Sequence, residues 1–115
     1  MLHFLLAPVA LITLVASDDS VPYFVNGNQL FEMCADAREI EQATCVLYVK
    51  GVADAFTFSR AALGKEQCIP PGVNGFQLRD IAAHYLAQHA ENRQESAAIL
   101  MALAFQDAWK CSITP

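Results

Sequence analysis

Several signals are missing from this sequence, and each absence narrows what the chain can be. No cysteine lies about two to four residues from another, the spacing usual in structural zinc sites, because the four fall at Cys34, Cys45, Cys68 and Cys111. A Gly-x-Ser-x-Gly elbow, a Ser-His-Asp order and a phosphate-binding glycine loop are all lacking, which removes the usual hydrolase and nucleotide-binding signatures. No apolar run reaches the roughly 20 residues needed to span hydrocarbon. Basic residues are few, 7 against 12 acidic ones for a net charge of -5. Such a surface repels nucleic acid and anionic lipid, and accommodates a basic protein partner more readily. The sequence therefore predicts no catalytic site, no metal or cofactor and no nucleic-acid partner. It describes a protein that binds another protein.

What is present fits one small exported domain. The 115 residues leave room for a single core. Phe4 to Ala16 is apolar except at Pro8 and Thr13 and is followed by Asp18-Asp19-Ser20, the pattern of a secretory signal peptide, although the start carries no Lys or Arg. Val15 and Ser17 suit cleavage before Asp18, which predicts a signal over residues 1–17 and a mature domain over 18–115. Four cysteines in such a domain read as two disulfides, kept paired by an oxidising compartment.

The rest is helical by pattern. Val21 to Val25 reads as an extended lead-in, and Asn28 is placed to cap a short helix from Gln29 to about Ala37. A second helix begins near Ile40 and fades at Leu63-Gly64, with Cys45, Tyr48, Val49, Val52, Ala55, Phe56 and Ser59 on its predicted core face. Gly51 in its middle costs about 1 kcal/mol relative to Ala, which implies a close helix crossing or a tolerated surface position. After Pro70-Pro71-Gly72, Asn74 is an N-cap with Gln77 completing a capping box. Leu78, Ile81, Ala82, Tyr85 and Leu86 face inward on the third helix. The fourth is expected to start within His89 to Asn92, with Asn92 and Glu95 as a second capping-box pair. Its segment Ala97 to Phe105 is apolar throughout and should be the most enclosed part of the fold. The fold class is thus all-α, a small four-helix up-down bundle stapled by two disulfides.

Four cysteines allow three pairings. In an up-down bundle Cys34 and Cys45 share one end, and the second helix then carries the chain about 34 Å before Cys68, too far for a disulfide. The third and fourth helices leave from Cys68 and return to it. The expected bonds are Cys34 to Cys45 and Cys68 to Cys111.

Candidates for chemistry are weak. His84 and His89 are five residues apart, off the i, i+4 spacing of a helical metal pair, and Asp54 and Asp80 lie on different helices. The polar turn Gln88 to Glu95 is the more useful feature, since a loop on a disulfide-closed hairpin is pre-organised for binding. It is expected to project at the pole opposite the Cys68 to Cys111 bond.

Asn26-Gly27-Asn28-x-Leu30-x3-Cys34, Cys45-x2-Tyr48-x2-Gly51-x2-Asp54-Ala55, Cys68-Ile69-Pro70-x-Gly72-Val73-x3-Gln77-Leu78, Tyr85-Leu86-x2-His89, Ala97-Ala98 and Cys111 resemble the Rap/Tai-type immunity proteins of type VI secretion systems. The chain departs from that pattern at Ala90 and at Trp109-Lys110. The resemblance implies a periplasmic, mainly helical, often homodimeric protein that binds and blocks a peptidoglycan amidase delivered by neighbouring bacteria. It also implies that the region around the last two helices meets the effector, here Asp80, His84, Gln88, His89, Glu91, Asn92, Arg93, Gln94 and Glu95. A small periplasmic acid-stress chaperone is the rival class, being also helical, exported and disulfide-bonded, and a domain of this family with another protein partner is the third reading.

Overall fold

A computed structural model describes residues 22–111; the expected signal peptide and cleavage site lie outside them. Four helices make up the described chain: α1 (Gly27–Ala35), α2 (Glu39–Ala62), α3 (Gly75–Gln88) and α4 (Ala97–Trp109), with a single 3-10 turn at Ala90–Asn92 before α4. No strand is present among the described residues; Asn26 and Ser96 form an isolated antiparallel bridge.

Local chemistry sets the boundaries. Asn26, rather than Asn28, caps α1: its side chain accepts from Gln29 N at 2.9 Å, and Gln29 Oε1 accepts from Asn26 N at 2.9 Å. Asn74 and Gln77 form the same reciprocal box on α3, at 2.9 and 2.8 Å, as the sequence predicts. The two boxes satisfy N-terminal amides that a helix leaves orphaned. Beyond α2, Gly64 takes φ +70, the left-handed conformation that favours glycine at this position.

The helices pack around Leu30, Val49, Leu86, Leu100, Met101 and Phe105, all essentially inaccessible. As expected, α4 is the most enclosed element, burying Ala97, Leu100, Met101, Ala104 and Phe105. On α3 the predicted face holds, with Leu78, Ala82 and Leu86 buried. The face of α2 is rotated from the expected one. Cys45, Val49, Ala53 and Arg60 are buried, while Ala55 and Ser59 are exposed. Arg60 can enter the core side because its Nε donates to the Glu66 carbonyl at 2.7 Å and its guanidinium lies 5.7 Å from the Phe56 ring centre. An aliphatic stem with a satisfied head serves there as an apolar residue would.

Both disulfides join the expected partners. Cys34 pairs with Cys45, with Cα atoms 5.0 Å apart, and Cys68 pairs with Cys111 at 5.4 Å. The first ties the end of α1 to the first turns of α2. The second closes the α3–α4 hairpin.

Candidate functional site

At its far end that hairpin is held down rather than left projecting. Gly27 N donates to the Glu95 carbonyl at 2.9 Å, Asn28 N to the Arg93 carbonyl at 2.8 Å and Ala97 N to the Val25 carbonyl at 2.9 Å. The Tyr23 hydroxyl donates to the Gln94 carbonyl at 3.0 Å. A Cβ on Gly27 would stand 2.8 Å from the Arg93 oxygen and 2.5 Å from Leu100 Cδ1, so only glycine lets the backbones approach this closely. These bonds also correct the expected start of α4. Arg93, Gln94 and Glu95 leave helical geometry because their carbonyls serve Asn28, Tyr23 and Gly27, and regular helix resumes only at Ala97.

The predicted binding residues divide into two groups. Glu91 and Asn92 lie in the 3-10 turn, and Arg93, Gln94 and Glu95 follow in the segment fastened to α1. Arg93 is half-buried and its guanidinium stacks 4.1 Å from the Phe31 ring centre, a cation–π contact that makes it an anchor of the turn. Its Nε is buried with no hydrogen-bond partner among the described residues. The charged groups that face solvent here are Glu91 and Glu95.

Asp80, His84, Gln88 and His89 come together instead along a groove between α3 and α4. Its volume is about 330 Å³, and Ile81, Tyr85, Ala104, Asp107 and Ala108 complete its lining. The His89 ring stacks on Tyr85 with centres 3.9 Å apart. Its Nδ1 lies 2.8 Å from the Tyr85 carbonyl, which can only accept, so Nδ1 carries a proton. Asp80 accepts from Arg79 Nη2 at 2.8 Å, while Arg79 Nη1 donates to Gln42 of α2 at 2.6 Å. This fixes the acidic rim of the groove to the bundle. Burial raises the Tyr85 hydroxyl above its ordinary value of 10.0, and the negative charges of Asp107, Glu95 and Glu91 raise it further. The two rim carboxylates are each ion-paired, Asp80 with Arg79 at 2.8 Å and Asp107 with Lys110 at 3.6 Å. The sequence reading missed Asp107, although it is the one charged residue of α4 and is exposed.

Chemically, the surface offers a stacked Tyr–His pair and flanking carboxylates. Among the described residues no group of three or more His, Cys, Asp or Glu could hold a metal ion. The arrangement suits recognition of a cationic or hydrogen-bond-donating side chain on another protein.

The family description "Rap1a immunity proteins" matches residues 26–111, from the cap of α1 to the second disulfide. The chain belongs to the Rap1a immunity protein family. No curated protein and no solved structure matches it. A Rap1a immunity protein implies a partner, a secreted effector that it binds and neutralises. The two disulfides suit an oxidising compartment, and no described helix is long and apolar enough to cross a membrane.

Proposed function

We propose that this chain is a periplasmic, homodimeric immunity protein that binds a peptidoglycan amidase delivered by a type VI secretion system and blocks it sterically, without chemistry of its own. The observation that carries the reading is the family match over residues 26–111, which spans all four helices and both disulfides. The α3–α4 groove supports it as the contact surface: its rim carries the carboxylates of Asp80 and Asp107, its floor is apolar, and α3 is fixed by a capping box at one end and fastened beside the turn at the other. Little conformational entropy remains to be lost on binding.

The test is direct. The secreted protein should form a stable complex with an amidase encoded beside its gene and stop that enzyme from hydrolysing cell wall. Absence of any such neighbour, together with no binding to peptidoglycan amidases, overturns the reading. Asp107→Arg and His84→Arg lie on exposed side chains of the groove and should weaken the complex by about 10-fold or more with an unchanged melting temperature. The exposed Ile40, Leu47 and Phe58 favour one second reading, a chaperone for aggregating clients in acid. Suppression of client aggregation at acid pH, with no amidase bound, would select it.

A further inference from the structure

The largest apolar side chains left in solvent on α2 form one line. Ile40, Leu47 and Phe58 are 69%, 69% and 75% exposed, and Ala43, Thr44, Gly51, Ala55 and Ala62, also exposed, lie on the same side of the helix. Gly51 has nothing within 4 Å of where its Cβ would be and its φ is not in the left-handed region. Nothing inside the protomer therefore requires glycine, which an exposed helix interior tolerates only at a cost.

We propose that this face of α2 is a homodimer interface in which two copies cross antiparallel at Gly51. The register follows from the sequence. A two-fold axis at Gly51 sets each residue before it opposite the residue equally far after it on the second copy. Leu47 then meets Ala55, Thr44 meets Phe58 and Ile40 meets Ala62, offsets of 4, 7 and 11 that are the repeat of one helix face. Each pair sets a large side chain against a smaller one, and the glycines let the backbones approach at the crossing, where the two-fold forces like onto like. The charges agree as well. Lys50 and Asp54 flank the line on one side, and neither forms an ion pair among the described residues. In the antiparallel pair each Lys50 lies on the same flank as the second copy's Asp54, whereas a parallel pair would place the two copies' charges on opposite flanks. α2 is about 36 Å long and about 10 Å wide, a footprint on the order of 400 Å². That is about half of what a standard interface buries per partner, so the dimer should be micromolar rather than nanomolar.

This inference extends the dimer named in the proposed function, yet the two fail separately. Sedimentation velocity of the secreted protein from about 1 to 500 μM should show a monomer passing to a dimer. Gly51→Leu and Leu47→Asp should each weaken it by at least about 30-fold, as expected of residues at the centre of an interface. Gly51→Ala, which still permits close approach, should keep the dimer. The variants point into open space in the protomer, so their melting temperatures measured at monomeric concentrations should not fall. A monomer throughout that range, or a dimer indifferent to both substitutions, overturns the proposal. So does a monomer that loses effector binding in the same variants, since α2 would then serve the effector. A monomer that binds amidase normally sinks the α2 dimer alone, and a dimer with no amidase affinity sinks the inhibitor reading alone.

Discussion

The two ends of the α3–α4 hairpin are closed by different means. At one end a single covalent bond, Cys68 to Cys111, joins residues 43 apart. At the other, the backbone between Arg93 and Ala97 is fastened to residues 23–31 by hydrogen bonds, the Gly27 close approach and the stack of Arg93 on Phe31. The first closure works mainly on the unfolded chain, by limiting its conformations. The second is a native-state joint and depends on fit. The candidate groove runs between them, so it is positioned by both.

Each closure can be broken on its own. Replacing Cys68 and Cys111 together by Ser should cost the most, about 4 kcal/mol from loop entropy, read as a lower urea midpoint with the helical circular-dichroism spectrum retained. Gly27→Ala should cost about 1 to 3 kcal/mol through overpacking against Leu100 and Arg93, and should loosen amide exchange protection at Asn28 and Ala97 more than at the disulfide end. If Gly27→Ala is neutral by urea denaturation, the non-covalent joint is softer than its geometry implies. Asn26→Ala and Asn74→Ala remove equivalent caps and should each cost about 1 kcal/mol; a larger loss at Asn26 would show the cap and the joint acting as a unit. The smallest effect concerns pH. The Tyr85 hydroxyl holds its proton more tightly in the folded chain than in the unfolded one. Its contribution is therefore complete below the ordinary tyrosine value and is lost as pH rises through the raised one. Thermal melts should fall modestly above about pH 10, and Tyr85→Phe should reduce that alkaline slope.

Legibility in the sequence followed the range of the interaction. The Asn74–Gln77 box and the disulfide partners could be read because a cap needs only neighbours and a helix has a fixed rise. Two asparagines flank Gly27, and the sequence reading chose Asn28. The decision for Asn26 rests on Gln29 three residues on and on the backbone of Arg93 and Glu95, which occupies the donors of Gly27 and Asn28. The burial of Arg60 at the end of α2 is not legible from helix periodicity, because it depends on a carbonyl from the following loop. The start of α4 was misplaced for the same kind of reason: Asn92 to Glu95 reads as a helix cap until tertiary bonds claim its carbonyls. Of the candidate site, the α3 residues were visible as a polar face. The groove required knowing which part of α4 lies alongside, and Arg93, expected in solvent, proved to be spent on Phe31. A charge reversal there would disturb the joint together with any interface, so Asp107 and His84 are the cleaner probes.

Gly27 also sets an order in time. The first disulfide spans a separation of only 11 residues and can close while most of the chain is still unstructured. The seat of α1 under Arg93 and Glu95 cannot, because its bonds link the first described residues to positions near the last helix, and contacts so distant in sequence form late. A chain emerging N-terminus first must therefore keep α1 waiting until the segment before α4 has appeared. The rim of the groove is complete only when Asp107 and Ala108 of α4 have arrived, so a chain cut before α4 would lack the candidate groove.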